Sequence, residues 1–253
     1  MKKHIPNLIT LLNLFCGCIA VLYAVTGDMF NTALFVVLGI VFDFFDGFAA
    51  RMLKVQSELG LQLDSLADMV TSGVVPGIVM YKLLGNSIVE ENNVWLDSLN
   101  LSDESKGLIC FSGESYITFI GLLVTLASCY RLAKFNLDTR QTDSFIGVPT
   151  PANTLLVLSL PLIIMTNDIE WINNLILNKW FLIGFTLLSC YLLNAEIPLF
   201  ALKLKTFGFK ENAVKYLFLL ASLLLIVFLH FLAIPIIIAL YIIVSLVLNA
   251  RDS

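Results

Sequence analysis

The feature that most constrains this chain is a succession of apolar runs, each about as long as a bilayer is thick. A helix crossing the hydrocarbon core needs about 20 predominantly apolar residues. Runs of that order lie near 7–26, 29–52, 60–84, 115–135, 150–167, 179–201, 213–230 and 232–250. With no water at that depth, each run has to satisfy its own backbone by coiling into a helix. The pattern predicts an all-α, polytopic membrane bundle of about eight transmembrane helices, forming a single integral-membrane domain over 1–253. Composition agrees, since 58% of the residues are hydrophobic and only 13% charged, against about 25% charged in a soluble domain. The 15 lysines and arginines are scattered in a chain of net charge −4, which excludes a nucleic-acid footprint.

Lys2, Lys3 and His4 precede the first run in the manner of a signal peptide. That run is long enough to span, however, and no small-residue cleavage site followed by a soluble domain comes after it, so it reads as a retained first helix. Orientation follows from where the cations fall. With the N-terminus inside, Lys2, Lys3, Arg51, Lys54, Arg131, Lys134, Arg140, Lys203, Lys205, Lys210, Lys215 and Arg251 are cytoplasmic, and Lys82, Lys106 and Lys179 are outside. Twelve against three predicts cytoplasmic termini and an acidic outer loop over about 85–114. The triplet Asn100-Leu101-Ser102 in that loop fits a glycosylation pattern too common to carry weight. Five cysteines, four of them inside apolar runs, show neither a disulfide framework nor a zinc spacing.

Charges inside spanning helices are costly, which makes a cluster of them a functional signal. The second run carries Asp43 and Asp46, and the third Asp64 and Asp68. Positions 43, 46, 47, 50 and 51 fall on one helical face, and 60, 64 and 68 stack on one face of the next. A short connection holding Arg51 and Lys54 makes the two helices antiparallel neighbours whose acidic faces can meet. Four facing carboxylates repel unless cations lie between them. Hard divalent ions with oxygen ligands answer that need, and two such ions suit a bridging phosphate in phosphoryl-type transfer. Gly47, Ala50 and Gly60 leave room for a substrate to approach the backbone, and Arg51 can pair a phosphate bidentately. A structural ion network with Arg51 and Lys54, or an ion path through a transporter, uses the same acids and remains open at this point.

Asp43-x2-Asp46-Gly47-x2-Ala50-Arg51-x8-Gly60-x3-Asp64-x3-Asp68 specifies eight residues over 26 positions. It resembles, at every fixed position, the signature of the CDP-alcohol phosphatidyltransferases. The resemblance implies a membrane enzyme that binds CDP-diacylglycerol and transfers its phosphatidyl group to an alcohol, releasing CMP. It implies Asp43, Asp46, Asp64 and Asp68 as ligands of two Mg²⁺ or Mn²⁺ ions, with Asp68 also the general base. Gly47, Ala50, Arg51 and Gly60 would surround the cytidine diphosphate.

Two further stretches resemble the phosphatidylserine synthase branch: Ile5 to Gly17, and Arg131 to Asn136 followed by Phe145 to Ala152. They extend the likeness over the first 155 residues, leaving 156–253 as scaffold or as the interface of a homodimer. L-serine is then the expected acceptor, and a bacterial inner membrane with a cytoplasmic active site the expected location. Arg131 and Lys134, on the same side as the aspartates, are expected to bind the serine carboxylate, and Asn13 to reach the pocket. Glycerol 3-phosphate or inositol phosphate as acceptor, membrane prenyl transfer and cation transport are the competing readings.

Overall fold

The structure, a computed structural model, describes residues 4–98, 116–137, 145–199 and 212–252. Lys2, Lys3, Lys106, Arg140, Lys203, Lys205 and Lys210 from the orientation count, the 100–102 triplet and Cys110 lie outside the described residues. Each of the eight apolar runs carries a helix. Among the described residues, five helical stretches are long and apolar enough to cross a bilayer, or six where a bent pair counts as one span. The protein is a multi-pass membrane protein.

The first two helices, α1 (His4–Thr26) and α2 (Met29–Leu53), form a tight antiparallel pair. Gly27, at φ +89°, makes the turn, and Asp28 caps α2 by accepting the Asn31 backbone N–H at 3.1 Å. Phe44, Phe45 and Phe48 face outward, as expected of the lipid side of α2. Lys54 closes α2 in the left-handed region, and Ser57 caps α3 (Glu58–Asp68) by accepting the Gly60 N–H at 3.1 Å. The acidic faces of α2 and α3 meet as expected, although the two helices do not run closely packed along their length. They splay from their short connection, and α1 packs along both.

At Asp68 the helix widens into a π segment, Met69–Val74, before α4 (Val75–Ser98). Such bulges recur beside functional sites. The wide turn releases backbone carbonyls, and threonines from other helices take them up. Thr125 Oγ1 donates to Gly73 O at 2.9 Å, and Thr154 Oγ1 lies 3.0 Å from Ser72 O. The expected helix over 115–135 begins as a 3₁₀ segment, Tyr116–Leu122, and continues as α5 (Leu123–Leu137). It packs closely on α4, where a Cβ on Gly121 would strike the Met80–Tyr81 backbone. Small residues at such a contact let membrane helices approach.

The central helix α6 (Thr150–Thr166) is buried on nearly every side, as expected of a helix apolar all round. α7 (Glu170–Ile176), in a stretch between expected spans, meets α8 (Lys179–Asn194) at a 64° bend. The expected helix over 179–201 ends early, at Asn194. Pro198 lacks an N–H and disfavours helical backbone at the residue before it. The chain there runs extended and pairs β2 (Pro198–Leu199) antiparallel with β1 (Phe145–Ile146). Gly147, at φ +72°, donates its N–H to Ile197 O at 2.9 Å, and Val148 N donates to Leu192 O at 3.0 Å. This small clasp joins the start of α6 to the end of α8.

The final stretch, Ala213–Asn249, is 37 residues long, too long for one crossing at 1.5 Å per residue. His230, at φ 49°, divides it into α9 (Ala213–Leu229) and, after a 3₁₀ turn, α10 (Ala233–Asp252). The Phe218 and Tyr241 rings meet at a tilt with centroids 5.7 Å apart although they lie on opposite sides of the break, so the chain reverses there.

Candidate active site

The splay of α2 and α3 opens a cavity of about 550 Å³, closed at the back by the first turns of α1. Its walls are Pro6, Asn7 and Thr10 from α1, Asp46, Gly47, Ala50 and Arg51 from α2, Val55 to Ser57 from the connection, and Glu58, Gly60, Leu61 and Asp64 from α3. Gly47, Ala50, Arg51 and Gly60 thus share one chamber, as their spacing suggests. A Cβ on Gly47 would meet nothing nearer than Arg51 Nη2 at 4.0 Å, so the guanidinium lies over that glycine. At Gly60 a Cβ would crowd Ser57 Oγ at 3.2 Å and Asn7 Oδ1 at 3.4 Å, where α1 approaches α3.

Asp43, Asp46 and Asp64 converge so that one carboxylate oxygen from each lies within 4.8 Å of the others. Among the described residues no lysine or arginine forms an ion pair with any of them, which removes the structural ion network as an account of this cluster. Three carboxylates this close on two helices form an all-oxygen donor set suited to a hard divalent cation. Asp68 stands outside that trio, one turn further along α3 than Asp64, beside α1.

On the α1 face the sequence reading named Asn13 and overlooked Thr10. Thr10 Oγ1 lies 2.5 Å from Asp46 Oδ2 and 3.1 Å from the Pro6 carbonyl. Asn13, fully buried, is not on the cavity wall. Its Nδ2 donates to Asp68 Oδ1 at 3.1 Å, and its Oδ1 accepts the Thr71 hydroxyl at 2.8 Å. The available signal was a polar series at 7, 10 and 13, stepping i, i+3, i+6 along one side of an apolar helix.

Arg131 and Lys134 do not join this chamber. Arg131 is 6% exposed, and its Nη2 donates to Gly147 O at 3.2 Å and lies 3.4 Å from Ile146 O. Both residues line a separate space of about 10 Å³ against Leu193, Asn194 and Ala195. Lys134 pairs with Glu196 at 3.3 Å.

The family model described as CDP-alcohol phosphatidyltransferase matches residues 3–192. Among curated proteins, the CDP-diacylglycerol–serine O-phosphatidyltransferase of Bacillus subtilis is 33% identical over 149 residues, which is 59% of this chain and 70% of the relative. The protein of the same name from Helicobacter pylori strain J99 is 30% identical over 155 residues, 60% of this chain and 55% of the relative. Archaetidylserine synthase of Methanothermobacter thermautotrophicus is 25% identical over 158 residues, 61% of this chain and 56% of the relative. The matched part of the chain therefore spans little more than half the length of the last two.

Proposed function

The chain belongs to the CDP-alcohol phosphatidyltransferase family, and from that premise we propose that it transfers the phosphatidyl group of CDP-diacylglycerol to L-serine, giving phosphatidylserine and CMP. The observation that carries the reading is the chamber itself, which sets Arg51 and two of the converging carboxylates, Asp46 and Asp64, around a space open enough for a nucleoside diphosphate. Serine as the acceptor rests on the names of the relatives.

In this reading Asp43, Asp46, Asp64 and Asp68 would hold two divalent cations. Bound there, such ions supply Lewis-acid polarisation of the phosphate oxygens. Arg51 pairs the diphosphate through its forked N–H groups, and Gly47, Ala50 and Gly60 keep the chamber free of side chains that would displace it. Asp68 accepts the proton of the serine hydroxyl as its oxygen bonds to the lipid-bearing phosphorus. The bond from that phosphorus to the bridging oxygen breaks, and CMP leaves with the electron pair. Arg131 is given no part in this scheme, because it lies outside the chamber, where its Nη2 meets the Ile146 and Gly147 carbonyls.

The test is CMP release by detergent-solubilised protein given CDP-diacylglycerol, Mn²⁺ or Mg²⁺ and a panel of alcohols. Release with serine, stopped by EDTA and restored by added Mn²⁺, is expected. Release with glycerol 3-phosphate and none with serine overturns the acceptor assignment, and undiminished release in EDTA overturns the metal assignment.

Sidedness belongs to the same reading, since CMP is a cytosolic nucleotide and the cation count puts the α2–α3 connection inside. In a cysteine-free background, a cysteine at Lys54 is expected to react with an impermeant maleimide only from the cytoplasmic side, and one at Lys179 only from outside. The reverse labelling pattern would put the chamber on the wrong face.

A further inference from the structure

We propose that Asn13 is a positioning residue that fixes the orientation of the Asp68 carboxylate, with Thr71 setting the direction of its amide. The inference rests on the role given to Asp68 above. An ionised carboxylate only accepts hydrogen bonds, so the Asn13 NH₂ has to face Asp68, as it does at 3.1 Å. The amide oxygen is then turned toward the Thr71 hydroxyl, which donates to it at 2.8 Å. Neither Asn13 nor Thr71 is exposed to solvent.

The surroundings are shaped to this arrangement. A Cβ on Gly39 would come within 2.8 Å of both Asn13 Oδ1 and Thr71 Cγ2, and one on Gly17 would strike Thr71. Two glycines on two helices thus leave room for the pair, and the packing allows the amide one place. Thr71 lies in the π segment that begins immediately after Asp68. The α1 amide therefore holds the carboxylate at the point where the helix widens. One oxygen of Asp68 is held, and among the described residues nothing donates to the other, which can take a ligand or a proton.

Partners that orient a metal-site residue from behind typically change metal affinity or activity by about 10- to 100-fold when removed. We expect Asn13→Ala to lower kcat for CMP release by that factor, with KM for CDP-diacylglycerol changed less than about 3-fold. Thr71→Val, which keeps the shape and deletes the hydroxyl, is expected to give a smaller loss of the same kind, and Thr71→Ser to recover most of it. Because Thr71 acts through Asn13, the double variant should be no slower than Asn13→Ala alone. Mn²⁺ affinity, read without substrates from the electron paramagnetic resonance signal of the free ion, should fall by about 10-fold in Asn13→Ala.

A merely structural Asn13 would lower thermal stability and leave kcat per folded molecule and Mn²⁺ affinity unchanged, and that result overturns the proposal. Multiplicative losses in the double variant would overturn the assigned role of Thr71. If the wild type releases no CMP with any acceptor, the functional reading fails, and the Mn²⁺ measurement alone decides whether Asn13 positions Asp68.

Discussion

Asp64→Asn is expected to lower kcat for CMP release by about 10³-fold or more, because the charge stabilisation supplied at a cation site is worth several kcal/mol and about 4 kcal/mol is a factor of about 10³. The change keeps the size of the side chain and replaces one carboxylate oxygen by an NH₂ group, which cannot ligate. Asp64 is half-buried on the chamber wall, so the substitution disturbs no packed core. Stability should move in the opposite sense. Asp43, Asp46 and Asp64 approach within 4.8 Å with no ion-paired cation among the described residues, and removing one of three like charges relieves their repulsion. In EDTA the variant should therefore unfold at a temperature equal to or above that of the wild type while remaining inactive with Mn²⁺ present. Wild-type turnover would remove Asp64 from the site. A large loss of stability in EDTA would mean that the carboxylates hold the fold together rather than strain it.

Gly147→Val is expected to damage the scaffold severely. The residue sits at φ +72°, where a β-branched side chain is strained by about 1–3 kcal/mol. Its Cβ would also fall 2.8 Å from Leu193 O and 2.9 Å from Ala195 O. Overpacking of that kind adds about 1–3 kcal/mol, and the backbone cannot shift without breaking the Gly147–Ile197 and Val148–Leu192 hydrogen bonds. Arg131 would lose its acceptors in the same movement and be left buried without them. At about 2–4 °C per kcal/mol for a chain of this size, the unfolding midpoint in detergent should drop by several degrees at least. Gly27→Ala is the control. It has a comparable φ of +89° but nothing within 4 Å of its Cβ, so it should incur only the backbone strain. Equal midpoints for the two variants would show that the clasp yields.

The bundle was legible because apolar length is a strong signal, and most helix ends fall within a few residues of the runs that announced them. The breaks in regularity were not. The π segment at Met69–Val74 and the end of α8 at Asn194 depend on partners remote in sequence, namely Thr125 and Thr154 in one case and the 145–148 strand in the other. At the site, helical spacing grouped Asp43, Asp46, Gly47, Ala50 and Arg51 correctly because all lie on one face of one helix. Spacing said nothing of α1, whose distance from α2 and α3 only packing determines. Thr10 escaped notice because a threonine in a membrane helix ordinarily bonds the carbonyl four residues back. Here it does stand near Pro6 O, yet it also reaches Asp46. Arg131 carries a related ambiguity: a cation at a helix end reads alike whether it faces a ligand or a backbone carbonyl, and here its Nη2 meets the Ile146 and Gly147 carbonyls.

Among the described residues, every wall of the chamber comes from residues 6–64, a contiguous stretch of α1, α2 and the start of α3. Chains leave the ribosome N-terminus first, so the whole chamber has been synthesised before α4 begins. Among the described residues, the later helices add no side chain to its walls. They arrive to brace a chamber whose walls are already made, and the order of synthesis is also the order in which site and support come into being.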